Sequence, residues 1–190
     1  MNNLEVKFYD TVNDELLKFA VIISQRNGKW VFCKHKERDT YEVPGGHREA
    51  GENILETAKR ELQEETGAVE FDIKPICVYS VTGKNRVNDT GDETFGLLCF
   101  AEITEFAKEL HSEMEKVVLM DELPNDWTYP LIQPKLIEKY LQTKWANDGE
   151  KKDFSSDLKE QIITCDMDAD CIVSENDEKV FAMVLVSCII

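Results

Sequence analysis

Glu61, Glu64 and Glu65 place three carboxylates just before Gly67, at the end of a stretch, residues 53–66, that reads as a helix. Glycine there is a natural C-terminal stop. Negative charge in the last turns of a helix opposes the macrodipole, and like charges three and four residues apart repel one another. A cation must offset that cost, and a divalent metal ion bound by oxygen ligands is the simplest candidate. Oxygen-only ligation suits Mg²⁺ or Mn²⁺ rather than zinc. The alternative is a solvated acidic face, supported by a Glu56–Arg60 pair at i, i+4.

The helical geometry sharpens the choice. At about 100° per residue, Ile54, Leu55, Ala58 and Leu62 share an apolar arc, and Glu56, Lys59, Gln63 and Thr66 lie opposite. The three glutamates and Arg60 border the apolar stripe, so their carboxylates can converge on a cleft while the helix stays anchored. Ahead of the helix, Tyr41-Glu42-Val43 reads as a short strand and Pro44-Gly45-Gly46 as a tight turn able to approach an ion or phosphate closely.

These residues together resemble the Nudix hydrolases, the superfamily of the MutT-type nucleotide pyrophosphohydrolases. The box of that family is G, five residues, E, seven residues, then R-E-U-x-E-E-x-G-U, with U a bulky aliphatic. This chain supplies Gly46, Glu52, Arg60-Glu61-Leu62, Glu64-Glu65 and Gly67 at those spacings, and only Ala68 departs, by being small. The surrounding sequence looks like small bacterial members of the MutT or YtkD type. The resemblance implies an α+β fold, an α/β/α sandwich with a mixed β-sheet between helices. It also implies Mg²⁺, for which Mn²⁺ can substitute, held by Glu61, Glu64, Glu65 and a backbone carbonyl at Gly45 or Gly46. Glu61 or Glu64 would act as general base, with Arg60 fixing a carboxylate rotamer. Glu52 is expected to brace the loop. A later carboxylate, Glu113 or Glu115, is a further candidate ligand or base, with Glu113 the expected one.

The reaction implied is cleavage of a nucleoside triphosphate, with 8-oxo-dGTP a candidate, to monophosphate and pyrophosphate. The alternatives are pyrophosphate removal from an RNA 5′ end, hydrolysis of a nucleotide sugar or dinucleoside polyphosphate, and a non-catalytic nucleotide-binding module. Phosphate contacts are expected from Arg26, Lys36, Arg38 and Arg86, with Lys34 and Lys84 also considered. Tyr41, Phe95, Trp127 or Tyr129 are candidates to stack on a base. His35 and His47 flank the box, and His47 is expected on the loop surface.

The rest of the chain fits one such domain. Its 190 residues carry a formal net charge of −16. That balance opposes broad contact with long nucleic acid or an anionic membrane, so anionic substrates must be met by metal and local basic groups. The six cysteines, at 33, 77, 99, 165, 171 and 188, show no CxxC spacing. The three in apolar runs, Cys33, Cys77 and Cys99, are expected to be buried thiols. With no secretory signal and no apolar run near the roughly 20 residues that span a bilayer, a cytoplasmic location is expected.

Strand signals occur at 19–24 and 29–33 around a turn at 25–28, then at 69–82 (with Pro75 marking a break or edge), 95–103 and 117–120. Residues 83–94 read as a polar loop, and Pro134 suits the first turn of a helix running to about 145. Residues 1–145 form the expected Nudix domain. The acidic extension 146–190 is expected to be a β-hairpin or a mobile tail. Its Asp166, Asp168 and Asp170 imitate a calcium loop, but the glycine and glutamate such a loop needs are missing.

Overall fold

A computed structural model of the protein describes residues 4–86, 88–107 and 114–148, with the backbone course alone for 145–148. Within them the chain forms strands β1 (Glu5–Tyr9), β2 (Leu17–Arg26), β3 (Lys29–His35) and β4 (Gly45–His47), then helix α1 (Ile54–Thr66). Strands β5 (Ala68–Thr82), β6 (Thr94–Phe106) and β7 (Met114–Met120) and helix α2 (Gln133–Asp148) follow. Among the described residues these strands make one seven-stranded sheet in the order β1-β5-β6-β2-β3-β7, with β4 beside β2. The pairing of β2 with β6 is parallel and the others are antiparallel, so the sheet is mixed.

Alternation along the strands gives the sheet two apolar faces. One carries Ala20, Ile22, Val31, Leu97, Cys99 and Ala101 and packs with Ile54, Ala58 and Leu62 of α1. The other presents Trp30, edge-on to Tyr140 of α2, and Phe100, stacked on the same ring at 4.6 Å. The two helices therefore cover opposite faces, and the α+β sandwich is the observed architecture.

β2 is the strand on which the site depends, because two strands share one of its edges. β3 pairs with it from Ser24 to Arg26, and β4 takes over from Val21 to Phe19. Between them residues 36–44 leave the sheet, held by Cys33 N–H donating to Glu42 O and Ile22 N–H donating to Pro44 O, both at 2.8 Å. The expected strand at 41–43 is thus reduced to isolated bridges, Cys33 with Glu42 and Tyr41 with Trp127. The divergence opens a cleft at the end of the sheet.

Several further differences from the sequence reading have local causes. β1, which is not among the expected strands, pairs its five residues along Val78–Thr82 of β5. Pro75 does not stop β5 but sits at an edge, one of the two positions expected of it, by a register shift where β1 does not reach. Thr66, assigned to the solvent arc, is buried; its hydroxyl accepts from Ala68 N–H at 3.1 Å as the chain turns into β5. Cys77 is half-buried, whereas Cys33 and Cys99 are buried as expected. α2 reaches three residues past the expected end. The expectations for 149–190, including the hairpin and the calcium-like acidic turn, lie outside the described residues. Among the described residues no helix is long and apolar enough to cross a membrane.

Leu62 is fully buried between α1 and the sheet. Leu62→Ala is expected to lower unfolding stability by about 2–5 kcal/mol in urea titrations. A loss well under about 1 kcal/mol would mean that this packing does not anchor α1.

Candidate active site

α1 is held at both ends by local chemistry. Asn53 Oδ1 accepts from Leu55 N–H (3.1 Å) and Glu56 N–H (3.0 Å), and Glu56 Oε2 accepts in return from Asn53 N–H (2.8 Å). That reciprocal cap stabilises the first turn. It also commits Glu56, so the expected Glu56–Arg60 pair does not form. Gly67, left-handed at φ 70°, ends the helix, and no basic residue lies in its last turn.

Arg60 is the counter-charge instead. Its Nε donates to Glu52 Oε1 at 2.6 Å, and Nη2 donates to Glu52 Oε2 (3.1 Å) and His47 O (3.0 Å). Nη1 donates to Glu61 Oε1 at 2.7 Å and Glu64 Oε2 at 3.4 Å. One guanidinium thus ties the loop before α1, the end of β4 and two glutamates of α1. Glu52 is further bound by Thr57 Oγ1 (2.8 Å) and Glu49 N–H (3.1 Å). The Arg60 bonds, chiefly, hold the Glu52 carboxyl down at about 2 and raise the Arg60 guanidinium in turn.

Glu61 experiences the opposite balance. It is 9% exposed, and burial pushes its carboxyl up, against the pull of Arg60 and with further upward pressure from Glu64 and Glu52. Its carboxylate lies against Gly46, where any side-chain carbon would collide with it. Glycine is required there by close approach. The third glutamate, Glu65, accepts from Gly45 N–H at 2.9 Å. The strand β4 and the end of α1 are thereby stitched together through carboxylates.

The donor set fits a hard divalent cation: carboxylate and carbonyl oxygens only, around a cradle that a Cβ would fill. Glu61, Glu64, Glu65 and the Gly46 carbonyl are the groups able to hold one. Among the described residues no three acidic, His or Cys side chains are already gathered as a ligand cluster. Arg60 occupies Glu61 Oε1 and reaches Glu64, whose side chain is 59% exposed and has room to turn. Glu113 lies outside the described residues. Glu115 is committed to Lys34 at 2.8 Å, and that bond lowers its carboxyl.

The acidic cluster adjoins a cavity of about 270 Å³ whose lining includes Gly45, Gly46, Glu65, Tyr129 and Gln133. Phe19 and Tyr79 form an aromatic wall, ring edge to face at 5.4 Å. Phe19 fits only because Gly96 lies beside its ring: an added Cβ would overlap it. Of the expected phosphate contacts, Arg38 lines the cavity, paired to the buried Glu42 at 3.0 Å. Arg86 lies near enough to act, with Arg38, against the burial that raises the Tyr129 phenol. Arg26 is instead stacked over Phe106 at 4.9 Å at the far end of β2, and neither it nor Lys36 lines the cavity. Lys34 is bound between Asp39 and Glu115.

Tyr129 is the member of the expected aromatic set that lines the cavity. Trp127 is buried against Phe32, and Phe95 packs on Tyr9. His47 is exposed, as expected, but ends β4 rather than sitting in a loop, and it lines the cavity and meets the Phe19 ring edge-on. Phe19, Tyr79, Asn85, Asn88 and Gln133 went unremarked in the sequence. Their strand and loop positions carry no motif, and only the split edge of β2 brings them together.

Comparison with known proteins agrees with this geometry. Residues 15–140 match the NUDIX domain. The Bacillus subtilis (strain 168) protein named "Putative 8-oxo-dGTP diphosphatase YtkD" is 33% identical over 126 residues, covering 66% of this chain and 75% of that one. A crystal structure of a mutant of the Bacillus subtilis pyrophosphohydrolase BsRppH superposes with a TM-score of 0.59 at 28% identity, over 76% of this chain and 93% of that one. A NUDIX hydrolase from Nitrosomonas europaea shares the fold, with a TM-score of 0.55 at 21% identity over 67% of this chain and 90% of that one.

The depressed Glu52 carboxyl sets a sign for acid sensitivity. Its contribution to stability is complete above its ordinary value of 4.5 and is lost as pH falls from there through about 2. The difference in Tm between the wild type and Glu52→Gln is therefore expected to shrink steadily over that window. A difference independent of pH would contradict the Arg60–Glu52 linkage.

Proposed function

The chain belongs to the Nudix family, and on that premise we propose that it hydrolyses nucleoside triphosphates to monophosphate and pyrophosphate with a divalent cation. An oxidised guanine nucleotide such as 8-oxo-dGTP is the preferred candidate substrate, a reading supported by the likeness to YtkD. The observation that carries the proposal is the glutamate cluster bound by Arg60, opening through Gly46 and Glu65 into a cleft with an aromatic wall.

In this reading Glu61, Glu64, Glu65 and the Gly46 carbonyl hold Mg²⁺, or Mn²⁺ in its place. Bound there, the ion supplies phosphate charge neutralisation and lowers the pKa of water. The chain does the positioning. Arg60 holds Glu61 and reaches Glu64, and one of the two takes the proton of the attacking water as its oxygen bonds to phosphorus. The anhydride P–O bond breaks, and pyrophosphate departs. Arg38 and Arg86 are the cations expected to meet phosphate oxygens. All of this machinery lies within residues 1–145, and none of it in the acidic extension 146–190.

A second reading keeps the chemistry and changes the carrier to a 5′-triphosphorylated RNA end. The likeness to a pyrophosphohydrolase at 28% identity favours it, whereas the net charge of −16 opposes extended RNA contact. A binding-only module has no need of the whole carboxylate set that this chain retains.

Pyrophosphate release from a panel of nucleoside triphosphates, 8-oxo-dGTP and 5′-triphosphorylated RNA is expected to stop with EDTA and to return with Mg²⁺. Turnover that survives exhaustive chelation would refute the metal role. Glu64→Gln is expected to reduce kcat by about 100-fold or more in saturating Mg²⁺. An unchanged kcat would remove Glu64 from the mechanism.

A further inference from the structure

Glu52 holds Arg60 from an exposed turn. Glu49, Ala50 and Gly51 of that turn lie open to solvent. Across it Glu52 N–H donates to Glu49 O at 3.3 Å, and Glu49 N–H donates to Glu52 Oε2 at 3.1 Å. Such bonds shape a turn without setting where it sits against the body of the protein. Placement needs contacts that leave the turn, and Arg60 supplies them on the α1 side.

Arg48 supplies them on the other side. Its Nε donates to Glu52 O at 2.7 Å. Nη1 donates to Asp14 O (2.9 Å) and Nη2 to Asp14 Oδ2 (2.8 Å). The Arg48 N–H donates to Lys18 O at 2.8 Å, which carries the pairing of β4 with β2 one residue past His47. Asp14 opens a 3₁₀ turn, Asp14–Leu16, that is itself capped: Asn13 Oδ1 accepts from Glu15 N–H at 3.1 Å. The Arg48 side chain is 22% exposed and that of Asp14 is 58% exposed. An ion pair to so exposed a carboxylate contributes little by charge alone. Three directed bonds from one planar guanidinium instead fix the geometry of the groups they join.

We propose that Arg48 is a positioning residue for the divalent-cation site, acting through Glu52 and Arg60. Arg48 ties the Glu52 backbone to the segment before β2, so the Glu52 carboxylate meets the Arg60 guanidinium at a fixed place. Arg60 in turn holds Glu61 and reaches Glu64. Without Arg48 the turn drifts, Glu52 loosens its hold, and Arg60 settles more fully on the glutamates that a cation needs. The inference rests on the reading above, in which Glu61 and Glu64 hold the ion.

The test is Mn²⁺ binding to the full-length protein without nucleotide, read from the loss of the free ion's electron paramagnetic resonance signal. Arg48→Ala is expected to weaken Mn²⁺ about tenfold, the lower end for partners that orient metal ligands. Glu52→Ala removes the carboxylate and keeps the backbone oxygen that Arg48 binds; it is expected to weaken Mn²⁺ at least as much. The double variant is expected to bind within about twofold of Glu52→Ala alone, because the link is already cut. Asp14→Ala, which alters an exposed side chain, is expected to weaken Mn²⁺ about threefold and decides the question if Arg48→Ala does not fold.

Unchanged Mn²⁺ affinity in Arg48→Ala, or in Asp14→Ala where the first does not fold, would overturn the proposal. So would losses that multiply in the double variant, since a general loosening of the fold acts independently of Glu52. If Glu64→Gln weakens Mn²⁺ and Arg48→Ala does not, the cation reading stands and the proposal alone falls. A wild type that binds no Mn²⁺ removes both. If the coupling holds while no triphosphate is hydrolysed, the positioning role stands and the hydrolase reading falls.

Discussion

The structure turns on one guanidinium. Three glutamates crowd the negative end of a helix dipole, an arrangement that repels itself and opposes the peptide dipoles. Arg60 resolves the conflict from within the same helix, reaching Glu61 and Glu64 on one side and Glu52 and the His47 carbonyl on the other. Glu61 is held close, while the exposed Glu64 keeps room to turn. A carboxylate set held in this way is poised for a cation of higher charge, because Arg60 engages one oxygen of Glu61 and contacts the exposed Glu64 only weakly, at 3.4 Å.

Every other feature of the site serves to hold that cluster at the mouth of a cleft. The capping box fixes where α1 begins, and Gly67 fixes where it stops, so Glu61 and Glu65 face β4 rather than solvent. Gly46 lets the strand run directly over the Glu61 carboxylate. The cleft exists because β3 and β4 share one edge of β2 and part between them. Gly96 then allows the Phe19 ring to wall it. Charged groups, an aromatic wall and a buried amide share the lining of this cavity, a mixture suited to a nucleotide.

What could be read from the chain in advance was what depends on local spacing. Residues 46–67 carry the cluster in their order alone, and the caps of α1, the Asn27–Gly28 hairpin turn and the alternation of β2, β3 and β6 are likewise local. What could not be read depends on partners distant in sequence. β1 alternates in Glu5-Val6-Lys7-Phe8, a signal too short to mark a strand alone, and β5 offers it an edge. Glu56 looked like the partner of Arg60 until the N-cap claimed it. Arg26, a plausible phosphate contact by charge, is stacked on Phe106, 80 residues further along the chain at the end of β6. Gln133 and Phe19 belong to the cleft only through the split sheet edge.

The central claim, that the Arg60-bound glutamates form a divalent-cation site, is tested most directly by anomalous diffraction from crystals soaked in Mn²⁺. The account predicts a manganese peak within bonding distance of carboxylate oxygens of Glu61 and Glu64, next to the Gly46 carbonyl. A fully soaked crystal with no peak at that position, both with and without bound nucleotide, would contradict it.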